Sequence, residues 1–254
     1  MKANTIFTFI SLMILGLAAF SQQSIFGNFY SNGIERGFTG AMPNNAETPL
    51  RLVILFHGTG ENGYEMEARG FNEFLGNNTM VVYPIALDRM TGFAGTDTID
   101  DYQMVEDLLT HLDSAYTIDT SDICIGGFSS GAAFTYNIVC DFNSPASTRD
   151  YQFKAFAIVS GFVDTNYTSN CAVVEQVPLI AFHGTTDQIA LYDGGILTWV
   201  DSIPASPTES IVDFWATGIN GCDPSPTKTS LPDTVTEQPF GNSYPELLEY
   251  DCPC

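Results

Sequence analysis

The sequence predicts an α/β fold built on a mostly parallel sheet, opened by a small antiparallel hairpin. Three observations carry that prediction. Short apolar runs alternate with helix-like stretches from residue 50 to about 220. Two of those runs, 50–56 and 123–126, are almost wholly apolar and end in glycine-rich turns, as strands buried on both faces do. The second run leads into Gly127-Phe128-Ser129-Ser130-Gly131, a G-x-S-x-G turn between a strand and a helix.

Each element has its own warrant. Residues 27–30 and 34–38 flank Asn32-Gly33, a strong hairpin signal. The run 50–56 is interrupted only by Arg51 and ends in His57-Gly58-Thr59-Gly60. Residues 65–75 read as a helix, and 80–83 as a short strand stopped by Pro84. The stretch 100–116 carries Met104, Leu108, Leu109 and Leu112 at helical spacing, with Asp100 and Asp101 at its positive N-terminal end. Then come a strand at 123–126, a helix at 130–140, strands at 156–160 and 177–182, and a helix at 210–217 that ends before Gly218. Right-handed crossovers would lay these strands side by side. No repeat, low-complexity stretch or linker divides the chain. A length of 254 is ample for one core and short for two, so 22–254 is expected to be a single domain.

Composition narrows the partners. Thirty acidic side chains stand against eight basic ones, a formal charge of -22. Phosphate neutralisation needs more Lys and Arg than that, so nucleic acid is not an expected partner. An anionic membrane surface is excluded for the same reason. Lys2, the apolar run 5–20 and the small residues Ala19 and Ser21 read as an export signal over 1–21, which implies an extracellular or periplasmic protein. All six cysteines follow that segment, and an even count in an exported chain favours disulfides. Cys124, inside an apolar run, reads instead as a buried thiol. No zinc-ribbon spacing and no D-x-D-x-D-G calcium loop occurs, and no metal or organic cofactor is expected.

The elbow carries the chemistry. A serine on a tight strand-to-helix turn needs small neighbours two residues either side, or side chains collide across the turn. Ser129 is the expected nucleophile, with the Ser130 N–H as one oxyanion donor. The second donor should come from the turn after the earlier strand, which points to the Thr59 N–H, with His57 shaping that turn. The acid should follow a later strand. Asp187 lies just past one, where it could orient an imidazole, and Asp193 is the fallback.

These residues resemble those of α/β-hydrolases, and more closely the secreted polyhydroxybutyrate depolymerase and feruloyl esterase-like group, which includes acetyl xylan esterases. The matching pieces are Leu52-Val-Ile-Leu-Phe-His-Gly-Thr-Gly60, Asp100-Asp101, Gly126 to Gly131, Ile180 to Gly195 with its H-G-T-T-D and Y-D-G-G stretches, and Phe214-Trp-Ala with Asn220-Gly-Cys-Asp-Pro224. The likeness runs from about residue 27 to 230. It implies an α/β-hydrolase fold with helices on both sheet faces, Ser129 as nucleophile, Asp187 as acid, and a disulfide from Cys222 to Cys252 or Cys254. It also implies a histidine base after the acid, in a glycine-rich loop beyond the last strand.

That histidine is missing from the sequence. His57, His111 and His183 all precede Asp187. His111 reads as a surface or satisfied core residue, and His183 as a structural hydrogen-bonder at a strand end. The expectation is a chain that stops before its last strand and histidine loop. The competing expectation is a hydrolase fold without its base, and in either case residues 1–254 should be weakly active or inactive. The predicted function is a secreted serine esterase acting through an acyl-enzyme on short polyesters or on acetyl or feruloyl esters of polysaccharide. Phe93, Tyr192 and Trp199 are possible contacts for a hydrophobic substrate, with core packing the alternative for each. A non-catalytic binding homologue is the second reading. A secreted peptidase is the third, disfavoured because no propeller or cap-sized insertion is present.

Overall fold

A computed structural model describes residues 22–74, 76–90, 92–94, 99–197, 203–231 and 245–253. The expected export signal at 1–21, Trp199 and Cys254 lie outside the described residues.

The hairpin comprises β1 (Gln22–Ser31) and β2 (Ile34–Pro43). Asn32 and Gly33 have φ of 50° and 77°, and two positive φ values make the turn whose twist matches its strands. Five more strands follow: β3 (Leu50–Phe56), β4 (Thr79–Ile85), β5 (Ile118–Phe128), β6 (Ala155–Val159) and β7 (Leu179–Phe182). They form one seven-stranded sheet in the order β1-β2-β4-β3-β5-β6-β7. β4, β3, β5, β6 and β7 run parallel, and the hairpin joins antiparallel through β2 and β4. The α/β architecture expected from the alternating pattern is therefore the one observed.

The helices are α1 (Gly63–Glu67), α2 (Asp101–Ala115), α3 (Ser130–Phe142), α4 (Tyr167–Asn170) and α5 (Thr208–Asp213). Strand residues alternate between the two faces. Leu52, Ile54 and Phe56 of β3 join Met80 and Val82 of β4 in the main core, with Met104, Leu108 and Leu112 of α2 and Phe134 and Ile138 of α3. Leu55, Val81 and Tyr83 face the other way and pack on Met66 of α1. On the side of β7, Ile180 and Phe182 are more than half exposed, at 54% and 55%.

Several boundaries differ from expectation. β4 continues through Pro84, because its parallel pairing with β3 ends at Val82 and the missing N–H costs that ladder nothing. The helix expected over 65–75 is α1 followed, after Gly70 at φ 85°, by a 3₁₀ turn at Phe71–Phe74. A glycine in that conformation ends a helix. The helix expected over 210–217 starts at Thr208 and continues as a π-helical turn, Phe214–Ile219, through Gly218. The strands β8 (Gly195–Leu197), β9 (Ile203–Ala205), β10 (Thr227–Ser230) and β11 (Glu246–Glu249) and the one-turn α4 were not legible. Such short pieces carry no measurable period.

Four internal links tie these layers together. Arg36 of β2 meets Asp101 of α2 at 2.5 Å, and both side chains are buried. Asp101 Oδ2 also accepts the Ala94 N–H at 2.6 Å, which fixes the segment before α2. Disulfides join Cys140 to Cys171 and Cys222 to Cys252. The second is one of the two pairings the resemblance left open for Cys222; the first was not anticipated. Cys124 is a free, half-buried thiol whose pKa is pushed up by burial and by Asp122.

Candidate active site

Ser129 stands at the C-terminal end of β5 with φ 55° and ψ -120°. A non-glycine residue there stores roughly 1–3 kcal/mol of strain, which surrounding structure must impose. The imposing contacts are visible. The Ser129 N–H donates to the Val159 carbonyl at 2.9 Å, and the Ser129 carbonyl accepts from Ala132 and Ala133 at 3.0 Å each. A Cβ on Gly127 would lie 2.2 Å from the Gly131 carbonyl oxygen, and one on Gly131 would lie 2.5 Å from the carbonyls of Phe56 and His57. Both glycines of G-x-S-x-G are thus required by backbone approach. The Ser129 hydroxyl makes no capping bond to α3. The Ser130 N–H opens α3, among the amides that no helical carbonyl can satisfy.

The turn after β3 packs directly on this elbow. A Cβ on Gly58 would lie 3.2 Å from the Ser129 Cβ, and the Thr59 hydroxyl donates to Ser130 Oγ at 3.0 Å. The Glu61 N–H donates to the Gly58 carbonyl at 3.2 Å, and Gly60 between them has φ 83°. That is a type II turn with glycine at its third position, and Thr59 occupies the second, whose N–H points away from the turn. His57 builds the turn. Its Nε2 accepts the Ala86 N–H at 3.1 Å, so the ring proton is on Nδ1, which donates to the Gly58 carbonyl at 2.9 Å. Burial holds this imidazole below its ordinary pKa, hence neutral. Two donors on the Gly58 carbonyl polarise the peptide that carries the Thr59 N–H and strengthen it as a donor. His57 is therefore a turn-shaping residue, as its position suggested.

Thr59, Ser129 and Ser130 come together; Asp187 lies on the same rim but further along. β6 separates β5 from β7, and two strand spacings amount to roughly 10 Å. The Phe128–Val159 and Val159–Phe182 pairings set Ser129, Ser160 and His183 at successive places along that rim. Asp187 sits four residues past His183 in the following loop, half-buried. Its Oδ1 accepts the N–H groups of Ile189 and Ala190 at 2.8 and 2.9 Å, while Oδ2 lies 3.8 Å from His183 Nε2. Asp193 is exposed in a turn.

No histidine faces Ser129 with an open nitrogen. Both ring nitrogens of His57 are engaged. His183 Nε2 donates to the Ala190 carbonyl at 2.7 Å, which leaves Nδ1 to accept from the Thr208 hydroxyl at 3.2 Å. His111 packs between Phe29 and Phe38, with ring centroids 5.9 and 5.8 Å away. It lies ten residues into α2, roughly 15 Å from the helix end nearest the elbow. Phe93 is core: it stacks among Phe56, His57 and Phe134 and is only 7% exposed. It is not a free substrate contact. Tyr192 is half-buried, with its hydroxyl donating to Glu209 at 2.9 Å and its pKa pushed up to about 12 by burial and that carboxylate.

Sequence reading missed the charged groups around the turn. Arg89 takes the Gly60 N–H on its own carbonyl at 2.7 Å and donates back to the Gly60 carbonyl through Nε at 3.0 Å and through Nη2. Glu65 receives Arg89 Nη2 on both oxygens, at 3.1 and 2.8 Å. Glu61 Oε2 accepts the Gly58 N–H at 3.3 Å, and Arg69 grips both Glu61 oxygens at 3.1 and 2.6 Å. Burial would raise the Glu61 carboxyl, but Arg69 outweighs it and holds the pKa below the usual range. The Arg69 guanidinium also lies 4.7 Å over the ring of Phe128, the residue before Ser129. The only signal for these groups was the scarcity of arginine itself. A separate cleft of about 380 Å³, lined by Tyr102, Asp141 and Tyr167, opens beside the second half of α3, and Ser129 does not line it.

A seven-stranded sheet of this order, with a strained serine between β5 and α3, is the α/β-hydrolase fold. Residues 93–193 match the serine hydrolase (FSH1) family. A bifunctional acetylxylan esterase/xylanase of Neocallimastix patriciarum is 27% identical over 157 residues, covering 59% of this chain and 21% of that protein. The chain thus spans about a fifth of the length of the relative it matches. Among solved structures, a thermostable esterase superposes with a TM-score of 0.51 at 18% identity, covering 67% of this chain and 48% of that one. The acylaminoacyl peptidase of Pyrococcus horikoshii gives 0.50 at 16% identity, covering 68% and 33%. Both likenesses concern the fold.

Proposed function

We propose that this protein is an exported serine ester hydrolase that forms an acyl-enzyme on Ser129, with acetyl or feruloyl esters of polysaccharide as its substrate class. The observation that carries the reading is Ser129 at φ 55° with the Gly58-Thr59 turn against its Cβ. Ser129 Oγ attacks the ester carbonyl, the N–H groups of Thr59 and Ser130 receive the negative oxygen, and the alcohol departs with the serine proton. Water then cleaves the acyl-enzyme. Asp187 has the role of acid that orients a base. The name of the Neocallimastix relative supports acetyl esters ahead of short polyesters. Two disulfides support an oxidising compartment, hence export through residues 1–21, and the single large sheet supports reading 22–254 as one domain.

The three histidines of the chain are engaged or remote, so the serine proton must leave to hydroxide when residues 1–254 act alone. Removing a triad member leaves about 10³–10⁴-fold acceleration over water from the oxyanion site and binding. Incubation with p-nitrophenyl butyrate should therefore give a slow butyryl adduct, found by peptide mass spectrometry on Ser129 and lost in Ser129→Ala. Deacylation needs the same base, so the adduct should persist. Fast turnover of the ester would refute the absence of a base. The lack of an open histidine also favours a second reading, a binding protein on a hydrolase fold, and no adduct after hours at pH 9 would select it.

A further inference from the structure

We infer that Arg69 and Arg89 are positioning residues of the oxyanion turn, Arg69 clamping one side of Thr59 through Glu61 and Arg89 clamping the other directly, its guanidinium steadied by Glu65. The inference rests on the hydrolase reading for what the turn does, but not for the clamp itself. On the C-terminal side, Arg89 holds the Gly60 residue at both ends: its carbonyl takes the N–H at 2.7 Å and its guanidinium takes the carbonyl oxygen. Glu65, on α1, steadies that guanidinium, and α1 is itself capped by Asn62, which accepts the Glu65 N–H at 3.1 Å. On the N-terminal side, the Gly58 N–H reaches Glu61, and Arg69 fixes Glu61 with two hydrogen bonds. Arg69 lies at the same time on the Phe128 ring, so one guanidinium touches both the turn and the elbow. The segment that carries Arg89 also brings Gly92 to the site: a Cβ there would lie 3.1 Å from Ser130 Oγ.

The arrangement answers a specific problem. A type II turn with glycine at its third position is soft, and the Thr59 N–H must point at a reacting carbonyl to within a few tenths of an ångström. Hydrogen bonds to the two glycines on either side of Thr59 restrict that freedom. Charge economy makes the placement informative. The chain has five arginines against 30 acidic residues, and two of the five sit on this one turn. The guanidinium groups also set positive charge beside a site where an oxyanion forms, within a chain of net charge -22.

The test measures two things on the full chain, in the parent, Arg89→Gln, Arg69→Gln, Arg89→Lys and the control Arg51→Gln. Arg51 pairs with Asp122 at the opposite end of β3. The first readout is hydrogen exchange at the Gly58 and Gly60 amides. The second is the rate of Ser129 butyrylation. The clamp predicts exchange about tenfold faster at Gly60 in Arg89→Gln and at Gly58 in Arg69→Gln, with unchanged exchange in the core of β5. Butyrylation should fall about tenfold to a hundredfold in both, recover only in part in Arg89→Lys, and stay unchanged in Arg51→Gln. Salt at about 1 M shortens the Debye length to about 3 Å, and should slow the parent more than Arg89→Gln, which keeps only the Arg69–Glu61 pair to be screened. A merely stabilising role would lower the melting temperature without the salt response. Unchanged exchange at Gly58 and Gly60 overturns the clamp whatever the labelling shows. Failure of the parent to acylate overturns the hydrolase reading alone, and the exchange data still judge the clamp.

Discussion

Thr59→Pro separates the backbone N–H of Thr59 from everything else the residue does. The turn of residues 58–61 has Gly60 at φ 83°, the third position of a type II turn, and Thr59 at the second, where proline is the preferred residue. Proline fixes φ near about -65°, close to what that position needs, and the residue before it is glycine, with no Cβ to meet the ring. The substitution therefore keeps the turn and deletes one of the two proposed oxyanion donors. Removing one such donor costs about 10²–10³ in rate, or about 2.7–4 kcal/mol. Thr59→Ala is the paired control: it keeps the N–H and loses only the 3.0 Å hydroxyl contact to Ser130 Oγ. An exposed neutral hydrogen bond contributes about 0.5–1.5 kcal/mol, roughly a factor of ten at most. The assay is the rate of butyryl transfer to Ser129, followed by mass spectrometry, with thermal melting to establish that both variants fold. If Thr59→Pro acylates within threefold of the parent, or if Thr59→Ala falls as far as Thr59→Pro, the Thr59 N–H is not an oxyanion donor.

Three further outcomes follow from the packing. Asp101→Ala strands the Arg36 guanidinium, which is 3% exposed, and should cost about 3–5 kcal/mol, readable as a large drop in urea midpoint. The same variant frees the Ala94 N–H, so exchange at Ala94 should rise with it. Replacing Cys140 and Cys171 together by serine removes a cross-link across 31 residues, and loop entropy sets that loss near about 3.5 kcal/mol by chemical denaturation. For His57, the folded pKa is depressed by burial, so the unfolded chain binds a proton that the folded chain refuses. Its contribution is complete above the unfolded value near about 6.5 and declines as pH falls below it. His57→Gln, which can still accept and donate, should show a shallower loss of stability between pH 7 and 5 than the parent, and an identical slope would contradict a buried neutral imidazole.

Local signals carried the strands and the elbow, because both are decided by residues close together in the chain. Apolar runs at 50–56 and 123–126 needed only burial on two faces to become β3 and β5. Gly127 and Gly131 needed only the steric demand of one turn, and the 2.2 and 2.5 Å approaches show why nothing larger fits. Reading failed where the decisive partner is remote. Pro84 looks like a strand stop until the end of β3 pairing at Val82 is known. Phe93 looks like a surface aromatic until Phe56, His57 and Phe134 close around it. Cys140 and Cys171 lie 31 residues apart with no spacing rule to join them, and β8 to β11 are too short for a period to register.

The charges were the least legible part and carry the most consequence. A net charge of -22 invites a picture of scattered acid on a solvated surface. Yet all five arginines hold a carboxylate partner: Arg36 with Asp101, Arg51 with Asp122, Arg69 with Glu61, Arg89 with Glu65, and Arg149 with Glu106 and Asp141. Surface pairs of this kind contribute little to stability, about 0–1 kcal/mol each, so their placement has to be explained by what they hold. Arg36 is buried and holds the hairpin to α2. Arg69 and Arg89 hold the backbone of the one turn that abuts Ser129. In a chain of net charge -22, an oxyanion at Ser129 would carry the same sign as most of the surrounding charge. Neutral N–H donors fixed by guanidinium groups offset that field locally, without a free cation that a neighbouring carboxylate would capture.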